Sequence, residues 1–94
     1  MQAQSLPAAP VVIPLRRRHA PITLDAVEEQ LRDDSERDLR RAHHVAHLLA
    51  FGVTDPGELA DATGLARRDV VDALSRLSRA AGAVDAAAAR TAAA

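Results

Sequence analysis

The most chemically suggestive stretch of the chain runs from Arg67 to Arg79 and holds Arg67, Arg68, Asp72, Ser75, Arg76 and Arg79. Arginine suits bidentate contact with guanine and clamping of phosphate, serine can donate to base or phosphate, and aspartate can accept from cytosine N4. On a helix over 67–80, the face opposite Val70 and Leu77 carries Arg68, Asp72, Ser75 and Arg79. Arg67 then stands at the helix start and Arg76 on one flank. The same residues also suit a solvated face, because Arg68 with Asp72 and Asp72 with Arg76 are spaced i, i+4. A second basic group is Arg16-Arg17-Arg18, which fits a minor-groove or phosphate-binding arm or a solubilising tail. Arg40 and Arg41 either add a phosphate contact or pair with acids such as Glu36.

His43, His44 and His47 raise the question of a metal. His43 and His47 are one helical turn apart, but zinc takes three or four protein ligands and the chain has no Cys. These histidines read as ordinary surface or partly buried side chains, and neither a metal site nor a cofactor is expected. The adjacent carboxylates Glu28-Glu29 and Asp33-Asp34 fall on different helix faces, and there is no glycine-rich phosphate loop. The chain therefore reads as a non-enzyme.

Four segments must position these residues. Leu24, Val27 and Leu31 form one face of a first helix over about 23–34. Ser35-Glu36-Arg37-Asp38 resembles a capping box, with Asp in place of Glu, and opens a second helix over about 36–51. Gly52 follows as its C-cap. Asp55-Pro56-Gly57-Glu58 is a strong helix start, with Asp55 as N-cap and Pro56 at the first helical position. Gly64 ends that helix after about two turns. A longer helix follows at about 67–80, with Val70, Ala73, Leu74 and Leu77 facing inward and Gly82 as its expected end. A short helix, a glycine turn and a longer helix make a helix-turn-helix. Ala60 allows close packing, and Gly64 supplies the left-handed turn.

Charge is unevenly spread. Residues 1–22 carry three Arg and no acid, whereas 23–38 carry seven acids against two Arg. Four of the five prolines fall in the first 22 residues, which opposes helix and central strand there. The layout expected is a disordered arm over 1–22, with Val11-Val12-Ile13 a short edge strand only if something pairs with it. A domain follows over 23–84, then a flexible tail over 85–94 rich in Ala. No apolar run reaches membrane-spanning length, about 20 residues, and no leader pattern is evident. A soluble, cytoplasmic protein without membrane contact is expected.

The run Glu58-Leu59-Ala60-Asp61-Ala62-Thr63-Gly64-Leu65, continued through Leu77, resembles the core of winged helix-turn-helix transcriptional regulators of the IclR, MarR and ArsR families. In those families E-L-A-x-x-T-G-L precedes a recognition helix with V-x-x-x-L-x-x-L, then A-G-x-V, here Ala81-Gly82-Ala83-Val84. The resemblance covers about 36–84, with the helix at 36–51 as the support helix. It implies that the helix after Gly64 enters the major groove, with Arg67 and Arg68 on bases and Arg76 and Arg79 on phosphates. The family's β-hairpin wing has only Val84-Asp85 and an Ala-rich tail to match it, and Ala favours helix over strand. The fold expected is thus all-α, a helix-turn-helix domain of three to four helices, winged-helix-like with a vestigial wing. The function expected is sequence-specific binding of double-stranded DNA by a transcriptional regulator acting as a homodimer. The apolar stripe of helix 23–34 is the candidate dimer surface. The alternative is a helix-turn-helix-derived protein–protein interaction module without DNA binding, an antirepressor for example, docking a basic partner through the acidic helix 23–34.

Overall fold

The structure, a computed structural model, describes residues 11–14 and 21–93. Four helices lie within them: α1 (Leu24–Leu31), α2 (Glu36–Ala50), α3 (Pro56–Thr63) and α4 (Arg67–Ala93). The first three begin where the sequence supplies a side-chain acceptor for an unpaired helix N–H. Thr23 Oγ1 accepts from the Ala26 amide at 3.3 Å, Ser35 Oγ from Asp38 at 3.2 Å and Asp55 Oδ2 from Glu58 at 3.1 Å. α2 closes with the Phe51 amide bonded to His47 and Leu48 carbonyls, and Gly52 turns the chain away at φ +100°.

The α3–α4 turn is built by Gly64 and Thr63. Gly64 has φ +74°, and its amide donates to the Ala60 carbonyl at 2.9 Å. The Thr63 hydroxyl donates back to the Leu59 carbonyl at 2.7 Å and accepts from the Leu65 amide at 3.2 Å. The Ala66 carbonyl then accepts from Asp69 and Val70, starting α4. A left-handed residue at 64 costs a side-chain-bearing residue about 1–2 kcal/mol and glycine little.

α4 is the axis of the fold and packs against all three other helices. Its inner face, Val70, Ala73, Leu77, Ala80 and Ala81, meets Val27 and Leu31 of α1, Val45 and Leu49 of α2 and Leu59 of α3 in one core. Ala42, Ala46 and Ala73 are buried small residues, which suit close helix approach in a core without buried aromatics. Among the described residues, no helix is long and apolar enough to cross a membrane.

Four expectations change. First, the segment before α1 belongs to the core. The Ile13 amide donates to the Ile22 carbonyl and Leu24 to the Val11 carbonyl, each at 2.8 Å, around a bridge between Val12 and Thr23. This pairing brings Ile13 and Ile22 into the core at 0% exposure, so the packed unit starts before residue 23. Second, Gly82 does not end α4. Its φ is not positive, and the helix continues to Ala93. Eleven further residues follow, seven of them Ala, the type of highest helix propensity, and they outweigh one interior glycine. Third, residues 85–93 are accordingly helical rather than frayed, and helix occupies the place where a wing would follow. Fourth, Leu24, Val27 and Leu31 are buried within the chain's own core, so the apolar stripe of α1 is not an available dimer surface.

Candidate nucleic-acid interface

The inward stripe of α4 fixes what points outward. With Val70, Ala73 and Leu77 buried, Arg67, Arg68, Val71, Asp72, Ser75 and Arg79 are exposed, as a 3.6-residue period requires. The turn at Gly64 and the packing of Leu59 against α4 present the first turns of this face at the surface.

The arginines in the N-terminal half of this helix fall into two groups. Arg67, Arg68 and Arg79 form no ion pair among the described residues. Arg68 leaves Asp72 unpaired with it, although the i, i+4 spacing allowed that pair. Arg76 is engaged instead. Its guanidinium bonds Asp34 at 2.6 Å and Asp72 at 2.8 Å and lies 3.4 Å from Asp38. Hydrogen bonds to Asp72 and Asp34 hold its pKa above the ordinary arginine value. Arg76 thus ties the turn between α1 and α2 to α4. Where the sequence suggested a phosphate contact for Arg76, its guanidinium faces three carboxylates. Asp72 is likewise paired with Arg76, though its side chain stays exposed. Ser75 stays exposed between Arg68 and Arg79. Arg79 lines a shallow depression with Gln30, Asp34 and Arg76. Arg16, Arg17 and Arg18 lie outside the described residues.

A second cationic surface borders the first. Arg37, Arg40, Arg41 and His44 of α2, with His47, line an open groove of about 450 Å³ whose other wall is Thr63 and Leu65 from the α3–α4 turn. Arg40 pairs with Glu36 at 3.1 Å, as one reading of the sequence had it. Arg41 reaches across to Asp69 in the first turn of α4, at 3.7 Å. His43 Nδ1 meets Glu28 Oε2, which joins α1 to α2, and its ring sits 4.6 Å from that of His47. No group of three His, Asp or Glu side chains among the described residues could hold a metal ion.

Sequence reasoning took Arg40, Arg41 and the histidines separately and passed over Arg37. A signal was present: 37, 41 and 44 recur at i, i+4, i+7, a single helical face. The opposing wall, Thr63 and Leu65, is set by the packing of α3 on α2 and left no mark in local spacing. No family model, curated protein or solved structure matches this chain.

Proposed function

We propose that the chain is a sequence-specific DNA-binding regulator that lays the N-terminal half of α4 in the major groove. The observation that carries this reading is the trio Arg67, Arg68 and Arg79, with Arg68 and Arg79 on the outer helix face and Arg67 at the helix start, all exposed and unpaired among the described residues. This helix leaves a glycine turn at the end of a short helix, the arrangement that presents a recognition helix to DNA. Arg67 and Arg68, at the start of the helix, face base edges, and Ser75 and Arg79 face the backbone further along. Arg76 supports them from behind by fixing α4 to the turn between α1 and α2.

A single short helix covers a small footprint, so the regulator acts as a homodimer on a two-fold repeated site. With the apolar stripe of α1 turned inward, the dimer contact is made by another surface. The mechanism is occupancy of a control site, which excludes or recruits polymerase.

Fluorescence anisotropy on the DNA flanking its own coding region and on a scrambled duplex, at two salt concentrations, tests this. Tighter binding to the first duplex, a steep loss with salt, and loss of the preference in Arg67→Ala/Arg68→Ala are the expected results. No binding to either duplex at low salt refutes the reading. The chain would then be a partner-docking module whose acidic outer face of α1, with Asp25 and Glu29 exposed, meets a basic protein.

A further inference from the structure

We propose that the groove between α2 and the α3–α4 turn binds a small phosphorylated molecule with a flat ring, a nucleoside phosphate in chemical class. This goes beyond DNA binding and does not depend on it.

Three observations lead there. The first is donor density. Arg37, Arg40 and Arg41 line one groove, and guanidinium forks match the oxygens of a phosphate group by paired hydrogen bonds. Arg37 has no ion-pair partner among the described residues. The partners of the other two are readily displaced. Both side chains of Arg40–Glu36 are more than 70% exposed, and exposed pairs contribute little. The Arg41–Asp69 contact is long, at 3.7 Å. A doubly charged phosphate competes well against either single carboxylate.

The second observation is the rest of the lining. Leu65 and Thr63 supply an apolar wall, and His44 and His47 supply imidazoles. Nucleobases stack on imidazole and guanidinium planes in recognition sites. The third is size. Small-molecule sites occupy roughly 300–1,000 Å³, and about 450 Å³ is available here. The cationic groups come from α2 and the wall from the adjoining turn, so the groove has two sides and stays open to solvent.

Occupancy has a structural consequence. Phosphate on Arg41 competes with Asp69, which lies in the first turn of α4, two residues from Arg67. The ligand therefore acts on the start of the exposed arginine face.

The experiment is a titration of the full-length, nitrogen-15-labelled protein with ADP, pyrophosphate and a short duplex, read by amide chemical shifts. ADP is expected to give saturable shifts at Arg41, His44, Thr63, Leu65 and Asp69, with pyrophosphate giving a weaker subset. Arg37→Glu/Arg40→Glu alters two exposed side chains and is expected to keep the remaining spectrum while weakening ADP at least tenfold. If that variant loses its native spectrum, Arg37→Gln is measured in its place, with a smaller weakening expected. The proposal is overturned by non-saturable or scattered shifts with ADP, or by equal affinity in wild type and variant. It is also overturned if Arg37→Glu/Arg40→Glu weakens binding of a short duplex as much as it weakens ADP, which assigns the groove to backbone phosphate. Failure of the protein to bind duplex leaves the ADP result standing, so the two readings fail separately.

Discussion

Gly82→Ala distinguishes a continuous α4 from one that ends at glycine by the sign of its effect. Gly82 sits inside α4 with helical backbone, and a Cβ built there meets no atom within 4 Å. Alanine at an interior helix position is favoured over glycine by about 0.8–1.0 kcal/mol. With no packing change to offset it, that gain is expected almost whole. For a domain of this size about 1 kcal/mol moves the melting midpoint by roughly 4–8 °C. Had Gly82 closed the helix in the left-handed conformation that Gly64 adopts, alanine would instead cost about 1–2 kcal/mol. The two geometries therefore differ by about 2–3 kcal/mol in outcome, well outside the error of a thermal melt followed at 222 nm. A lower midpoint for Gly82→Ala than for wild type would falsify the continuous helix, and with it the helical state of residues 83–93.

The remaining predictions test the turn, the core and the interface. Gly64→Ala is expected to destabilise by about 1–2 kcal/mol, because φ is +74° there and the space around it is open, so strain alone acts; urea denaturation measures it, and no loss would contradict the left-handed turn. Ile13→Ala is expected to cost about 2–5 kcal/mol, as for other fully buried aliphatics, and Ile13→Val about 0.5–1.5 kcal/mol; a neutral pair would return this segment to an unpacked arm. Arg76→Gln is expected to lower the thermal midpoint, since Asp34, Asp38 and Asp72 then face one another without their shared cation, while Asp34→Asn with Arg76→Gln recovers part of the loss. For DNA binding, Arg79→Ala is expected to reduce the slope of log affinity against log salt by about 0.9 while leaving sequence preference intact; a change in preference with no change in slope would place Arg79 on a base instead.

Local signals carried most of the helix assignments. Ser35 and Asp55 each cap a helix because an oxygen side chain precedes an apolar-periodic run, a relation contained in a few adjacent residues, whereas the Thr23 cap of α1 emerged only in the structure. The Gly64 turn was legible for the same reason. What the sequence did not disclose is long-range. Ile13 and Ile22 are nine positions apart across prolines, and only the bridge around Val12 and Thr23 brings both into the core. Gly82 looked like a stop because glycine often is one, yet the Ala-rich stretch after it has its own strong helix preference. At the site, periodicity put Arg68, Ser75 and Arg79 on the outer face and Arg76 on its flank. The fate of Arg76 depended on Asp34 and Asp38, about 40 residues earlier, which no spacing on α4 encodes.

That long-range cluster also accounts for how a chain of net charge −1 can offer a cationic face. Arg76 lies among Asp34, Asp38 and Asp72, so part of the excess acid of residues 23–38 is gathered around one cation on one flank of α4. Each of these carboxylates, left unpaired near the outer face, would repel a phosphate approaching Arg68 or Arg79. Held by Arg76 they still carry negative charge, but their field is partly cancelled at close range, and what remains is screened within about 8–10 Å at ordinary salt. The exposed side is left with Arg67, Arg68 and Arg79, and the α2 side with Arg37, Arg40 and Arg41. The same clamp therefore has two effects. It fixes α4 to the turn before α2, and it sorts charge so that two neighbouring cationic surfaces meet at the start of α4, joined by the Arg41–Asp69 contact. A substitution that frees Asp34 and Asp38 should weaken both surfaces toward anions at once, whereas one confined to Arg37 or to Arg68 should weaken only its own.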